Sequence, residues 1–78
     1  MARARVVEVR AEMVANVLEI PVAVGDRVET GDTVVLLESM KMEIPVLAEQ
    51  PGTVTDLRVA PGDVVQEGEP LVVLESAG

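Results

Sequence analysis

Apolar side chains recur at every second position along two stretches of this chain, and glycine or proline interrupts the pattern at intervals of about ten residues. Ile20 and Val22 alternate with Glu19 and Pro21, and Leu57 and Val59 alternate with Asp56 and Arg58. A period of two sends one face of a strand into a core and the other into water. The runs "TVVLLE" (Thr33–Glu38) and "PLVVLE" (Pro70–Glu75) are apolar at consecutive positions and rich in β-branched residues, which predicts the most deeply buried strands. Gly25-Asp26, Gly31-Asp32, Gly62-Asp63 and Gly68-Glu69 predict turns, since glycine accepts backbone angles other residues avoid and aspartate can bond the local backbone. Helix is disfavoured by the abundance of valine and by the frequent breakers.

The pattern repeats at a separation of 37 residues. Val17–Ser39 set over Val54–Ser76 gives 11 identities in 23 positions, among them Gly25/Gly62, Asp26/Asp63, Gly31/Gly68 and Leu37-Glu38-Ser39/Leu74-Glu75-Ser76. Two copies of one unit, each with about four short strands and neither able to bury its apolar face alone, predict an all-β flattened barrel or sandwich of two four-stranded sheets around a pseudo-two-fold axis. One domain over residues 1–78 is expected, with half-repeats of about 6–41 and 42–78 and a flexible start over residues 1–5. Lys41 aligns with Gly78, so it falls at the junction of the halves, on a hairpin tip at the end of the domain away from the termini.

Composition narrows what such a domain does. The chain has 49% hydrophobic residues but no Phe, Tyr or Trp, so the aromatic faces of a stacking platform for bases or sugars are absent. A net charge of −8 argues against nucleic acid and anionic membranes as partners. No apolar run approaches the roughly 18 residues that span a bilayer, and the start lacks the pattern of a signal peptide. Without Cys or His, the usual thiol, imidazole and metal chemistries are missing, and the 14 carboxylates fall on turns and outer strand positions. A monomeric cytoplasmic protein without enzymatic activity of its own is expected.

One residue stands apart. The five arginines are Arg3, Arg5, Arg10, Arg27 and Arg58, and the single lysine, Lys41, sits between Met40 and Met42 in "LLESMKMEIP". Taken alone, this is a solvated charge beside two gap-filling side chains. Yet apolar side chains on a hairpin tip are unfavourable unless another protein reads them, and a lysine amine is an acceptor for acyl groups. With a free-lysine pKa of about 10.4 it stays an ammonium at neutral pH, so an enzyme bearing an activated acyl group must supply the driving force.

Glu38-Ser39-Met40-Lys41-Met42 resembles the Glu-Ala-Met-Lys-Met signature of biotinyl domains, the carriers of biotin-dependent carboxylases and decarboxylases. The resemblance extends through Gly25-Asp26, Gly31, the Ala48–Gly52 segment and the Gly62…Gly68…Leu71 series. It implies a biotinyl/lipoyl-type fold, covalent biotin as cofactor on Lys41, and recognition of Met40 and Met42 by a biotin protein ligase. Glu38 and Ser39 complete the motif. It further implies that the tethered biotin carries carboxylate from a biotin carboxylase to a carboxyltransferase. The sequence departs from the family pattern at Ser39, where Ala is usual, and at "AEMVANV", where many relatives have a Pro-Met-Pro-Gly-like stretch; no insertion codes for a protruding thumb. Glu38 and Glu43 flank the lysine and read either as surface charge or as an aid to docking a basic ligase surface.

Two other readings stay open. A lipoyl domain shares the fold and presents a lysine on a hairpin, but more often with Asp before it and Ala after it. A cofactor-free interaction module would use the same β scaffold and never acquire mass on Lys41.

Overall fold

The computed structural model describes residues 4–77. Eight strands follow one another: β1 (Ala4–Arg10), β2 (Ala15–Glu19), β3 (Arg27–Val28), β4 (Thr33–Ser39), β5 (Met42–Leu47), β6 (Gly52–Leu57), β7 (Val64–Val65) and β8 (Pro70–Ala77). They form two four-stranded sheets, ordered β1-β8-β6-β3 and β5-β4-β2-β7, with every pairing antiparallel. The predicted all-β sandwich is therefore observed. β4 and β8 sit centrally, and the runs predicted to be most buried are buried: Val34, Val35 and Leu37 in β4, Leu71 to Leu74 in β8.

The repeat separation carries through to the core. Val17/Val54, Val28/Val65, Val34/Leu71, Val35/Val72, Leu37/Leu74 and Ala11/Ala48 are all buried, each pair 37 residues apart. The halves do not stack as two separate half-barrels, however. β3 of the first half closes the sheet of β6 and β8, and β7 of the second closes the sheet of β2 and β4. The Gly-Asp turns make this exchange. Gly25 N–H donates to Val54 O (2.7 Å) and Val54 N–H to Asp26 O (2.8 Å), while Gly62 N–H donates to Val17 O (2.8 Å) and Val17 N–H to Asp63 O (2.8 Å). Gly25 and Gly62 have φ of 97° and 94°, and a Cβ there would meet nothing within 4 Å, so backbone angle and not space demands glycine. The Asp26 carboxylate accepts from Ala23 N–H and the Asp63 carboxylate from Ala60 N–H, both at 2.9 Å, which locks each turn.

One expectation needs correction. The alternation at Ile20–Val22 was expected to mark a ladder, but β2 ends at Glu19, opposite Leu36, and the next residues run on unpaired. They cross from one sheet toward the other, so Ile20 and Val22 pack against the core without a strand partner. Of residues 1–5, the start expected to be flexible, Met1–Arg3 lie outside the described residues; Ala4 and Arg5 pair with Ala77 and Ser76 in β1.

Register also places the ends. β5 leads through residues 48–51 into Gly52, and the following Thr53 lies opposite Glu75, two residues from Ala77. The base of the β4–β5 hairpin is thus beside the described chain ends, and its tip points away from them. By the same symmetry, β1 ends near that tip, since residues 11–14 lead into β2 and Asn16 lies opposite Glu38.

Gly52 is the mate of Ala15, but a methyl there would be crowded: a Cβ would sit 3.0 Å from Glu75 O. Gly52→Ala is expected to cost about 1–2 kcal/mol, lowering the melting temperature by roughly 4–8 °C per kcal/mol in thermal denaturation. An unchanged melting temperature would show that the approach to β8 is not tight.

Candidate functional site

β4 and β5 run side by side from Thr33/Leu47 to Ser39/Met42, leaving Met40 and Lys41 alone to make the turn. A two-residue hairpin turn of type I′ needs positive φ at both central residues, which normally selects Asn-Gly. Here Met40 has φ 53° and Lys41 φ 65°, the only non-glycine residues with positive φ among those described. Neither side chain can bond its own backbone to ease this, so each costs on the order of 1 kcal/mol or more. The hairpin ladder over-determines the conformation and holds the strain in place.

The side chains at this tip are out in water. Met40 is 92% exposed and Met42 63% exposed, against a core that is almost entirely closed. Lys41 is exposed, and no salt bridge reaches it among the described residues. Arg10, Arg27 and Arg58 differ: each pairs with a carboxylate two residues away, Glu8, Glu29 and Asp56 respectively. Ser39, opposite Met42, is half-buried. Among the described residues no polar side chain is buried, and no group of His, Cys, Asp or Glu is arranged to hold a metal.

One pair behind the tip, Glu38 lies directly opposite Glu43, and neither carboxylate has a cationic partner among the described residues. Like charges directly opposite across a ladder are unfavourable. The row continues across the sheet to Asn16 and Val64. The symmetry-related row at the other end reads Val6, Glu75, Thr53 and Arg27, one acid and one base. The acidic doublet is therefore confined to the lysine end. Sequence reading named all five residues of Glu38–Met42, and register brings them to one tip. It did not anticipate the strained turn, since nothing in Met-Lys signals positive φ, nor the facing carboxylates, which only pairing reveals.

The site is thus an exposed lysine lifted on a strained two-residue turn, on a sandwich whose described residues include no buried polar side chain. The chain belongs to the biotin/lipoyl family described as biotin-requiring enzyme, whose profile matches residues 7–74. Among curated relatives, biotinylated protein TB7.3 of Mycobacterium tuberculosis is 70% identical over 40 residues, 51% of this chain and 56% of the relative. The biotin/lipoyl attachment protein of Bacillus subtilis is 46% identical over 39 residues, 50% of this chain and 53% of the relative. The matched segment thus spans about half the length of these relatives. Among solved structures, a single-chain, multi-domain long-chain acyl-CoA carboxylase superposes with a TM-score of 0.85 at 30% identity, over 94% of this chain and 7% of that one. The urea carboxylase of Kluyveromyces lactis gives 0.84 at 33% identity, over 90% and 6%.

Two substitutions test the energetics of the tip. Met40→Gly relieves a positive-φ penalty and is expected to raise stability by about 1 kcal/mol, some 4–8 °C in a thermal melt. Glu43→Lys turns the facing carboxylates into an ion pair and is expected to stabilise by a few tenths of a kcal/mol, less in high salt. Destabilisation by either change would contradict the strain or the repulsion assigned here.

Proposed function

We propose that this protein is a biotin carrier in which Lys41 is joined to biotin through an amide on its side-chain nitrogen. The observation that carries the reading is the exposed Lys41 between two exposed methionines, held by a positive-φ turn on a member of the biotin/lipoyl family. A biotin protein ligase presents the acyl group as an adenylate. The Lys41 amine, once it has given up a proton, attacks the acyl carbon, and AMP leaves. No ion pair among the described residues has to be broken first. Met40 and Met42 give the ligase apolar contacts on either side of the amine, and Glu38 and Ser39 complete the motif it reads. Because the turn fixes the backbone, only the lysine side chain has to be ordered on docking.

When bound, biotin supplies a ring nitrogen that takes up carboxylate at a biotin carboxylase and gives it up at a carboxyltransferase. The domain itself contributes tethering. A short flexible link raises the effective concentration of the attached group at both sites to about millimolar. The carboxylase subunits, the ligase, a monomeric state and a cytoplasmic location all belong to this proposal. It is supported by the carboxylases among the structural relatives and by the lack, among described residues, of a helix long and apolar enough to cross a membrane.

Purified protein incubated with biotin protein ligase, ATP and biotin is expected to gain the mass of one biotinyl group, and Lys41→Arg to gain none. An unchanged mass for the native sequence overturns the carrier reading, and a mass gain only with a lipoyl ligase replaces biotin by lipoate. Met40→Ala and Met42→Ala are each expected to slow labelling about tenfold, corresponding to the loss of ~1.4 kcal/mol of contact at the ligase.

A further inference from the structure

The two edge strands β1 and β5 leave a groove of about 520 Å³ between the sheets. Val7, Val9, Ile44 and Val46 line it, with buried Leu37 and Leu74 at its base. The size and lining suit a small ligand with an apolar body. The pseudo-two-fold relates one end of this groove to the other, and that supplies an internal comparison. At the lysine end stand Arg10, Glu12 and Met13; their mates at the far end are Leu47, Glu49 and Gln50. The acids match, so the lysine end is distinguished by a guanidinium and a thioether.

Both differences suit an amphipathic occupant. Met13 is 39% exposed, more than an apolar side chain with a settled place in the core. Arg10 is positioned by its own bonds: one amino group donates to Gly68 O (2.7 Å) and the other pairs with Glu8. That engages two of its five N–H groups and leaves the others without a partner among the described residues.

From these features we infer that the lysine end of the groove holds the biotin attached to Lys41 when no partner has taken it up. The inference rests on the carrier reading. Ile44 lies three residues from Lys41 along β5, on the order of 10 Å. The lysine side chain and the acyl chain of biotin together make an arm that extends on the order of 12 Å. The bicyclic ring then covers Val9, Met13 and Ile44, and its ureido oxygen accepts from Arg10. Docking of this kind shields the ring between visits and lowers its apparent affinity for any partner by the fraction docked.

The test compares backbone amide spectra of the unmodified protein and of protein shown by intact mass to be fully biotinylated. Shifts are expected at residues 9–13 and 44 as well as around the tip, residues 39–43. Exchanging the lysine-end residues for their mates, Arg10→Leu with Met13→Gln, is expected to abolish the groove shifts while the tip shifts remain. Dispersed spectra of both forms certify that the variant is folded. Fully loaded protein with shifts confined to residues 39–43 overturns the docking and leaves the carrier reading intact. Groove shifts undiminished in the double exchange overturn the roles of Arg10 and Met13.

Discussion

Each half of this chain completes a sheet that the other half cannot complete for itself. The two backbone hydrogen bonds between the Gly25-Asp26 turn and Val54, and the two between Gly62-Asp63 and Val17, carry β3 and β7 across into the opposite sheet. With those bonds made, the valines at 28 and 65 reach the middle of the sandwich and are fully buried. A domain this small has little apolar area to spare, and the exchange lets both copies share one core. Most of the glycine-containing turns therefore serve packing between halves.

Once the halves interlock, the pseudo-two-fold places two hairpins at opposite ends. One pairs β8 with β1 as far as Ala77 and Ala4; the other, β4 with β5, is closed by Met40-Lys41. The strain at that turn is sustained because the ladder beneath it runs from Ser39/Met42 down to Thr33/Leu47 with Leu37 anchored in the core. A rigid base thus carries an exposed amine whose backbone has no freedom to retreat.

Symmetry also shows where the two halves of the scaffold differ. Core mates are alike in size and burial, as packing requires. Mates near the lysine are not: Glu43 answers to Val6, Val64 to Arg27, Arg10 to Leu47 and Met13 to Gln50. Facing carboxylates at Glu38 and Glu43 oppose stability in the isolated domain. Their cost is confined to the lysine end of the domain.

Much of this protein was readable in its sequence. The 37-residue repeat, the turn glycines and the consecutive apolar runs determined an all-β sandwich with β4 and β8 buried, because strand periodicity and turn chemistry are local. The Glu38–Met42 motif and the uniqueness of Lys41 determined where chemistry is to be sought. Tertiary structure alone decided the rest. Alternation at Ile20–Val22 records burial, and burial does not tell a paired strand from a crossing segment. Glycine turns cannot say which strand they will bond, so the exchange of β3 and β7 between sheets was hidden. Positive φ at Met40 and Lys41 comes from a two-residue connection between strands in fixed register, a constraint that neither side chain expresses. The approach of Arg10 and Met13 to the lysine end arises only when residues far apart in the chain are folded around one axis.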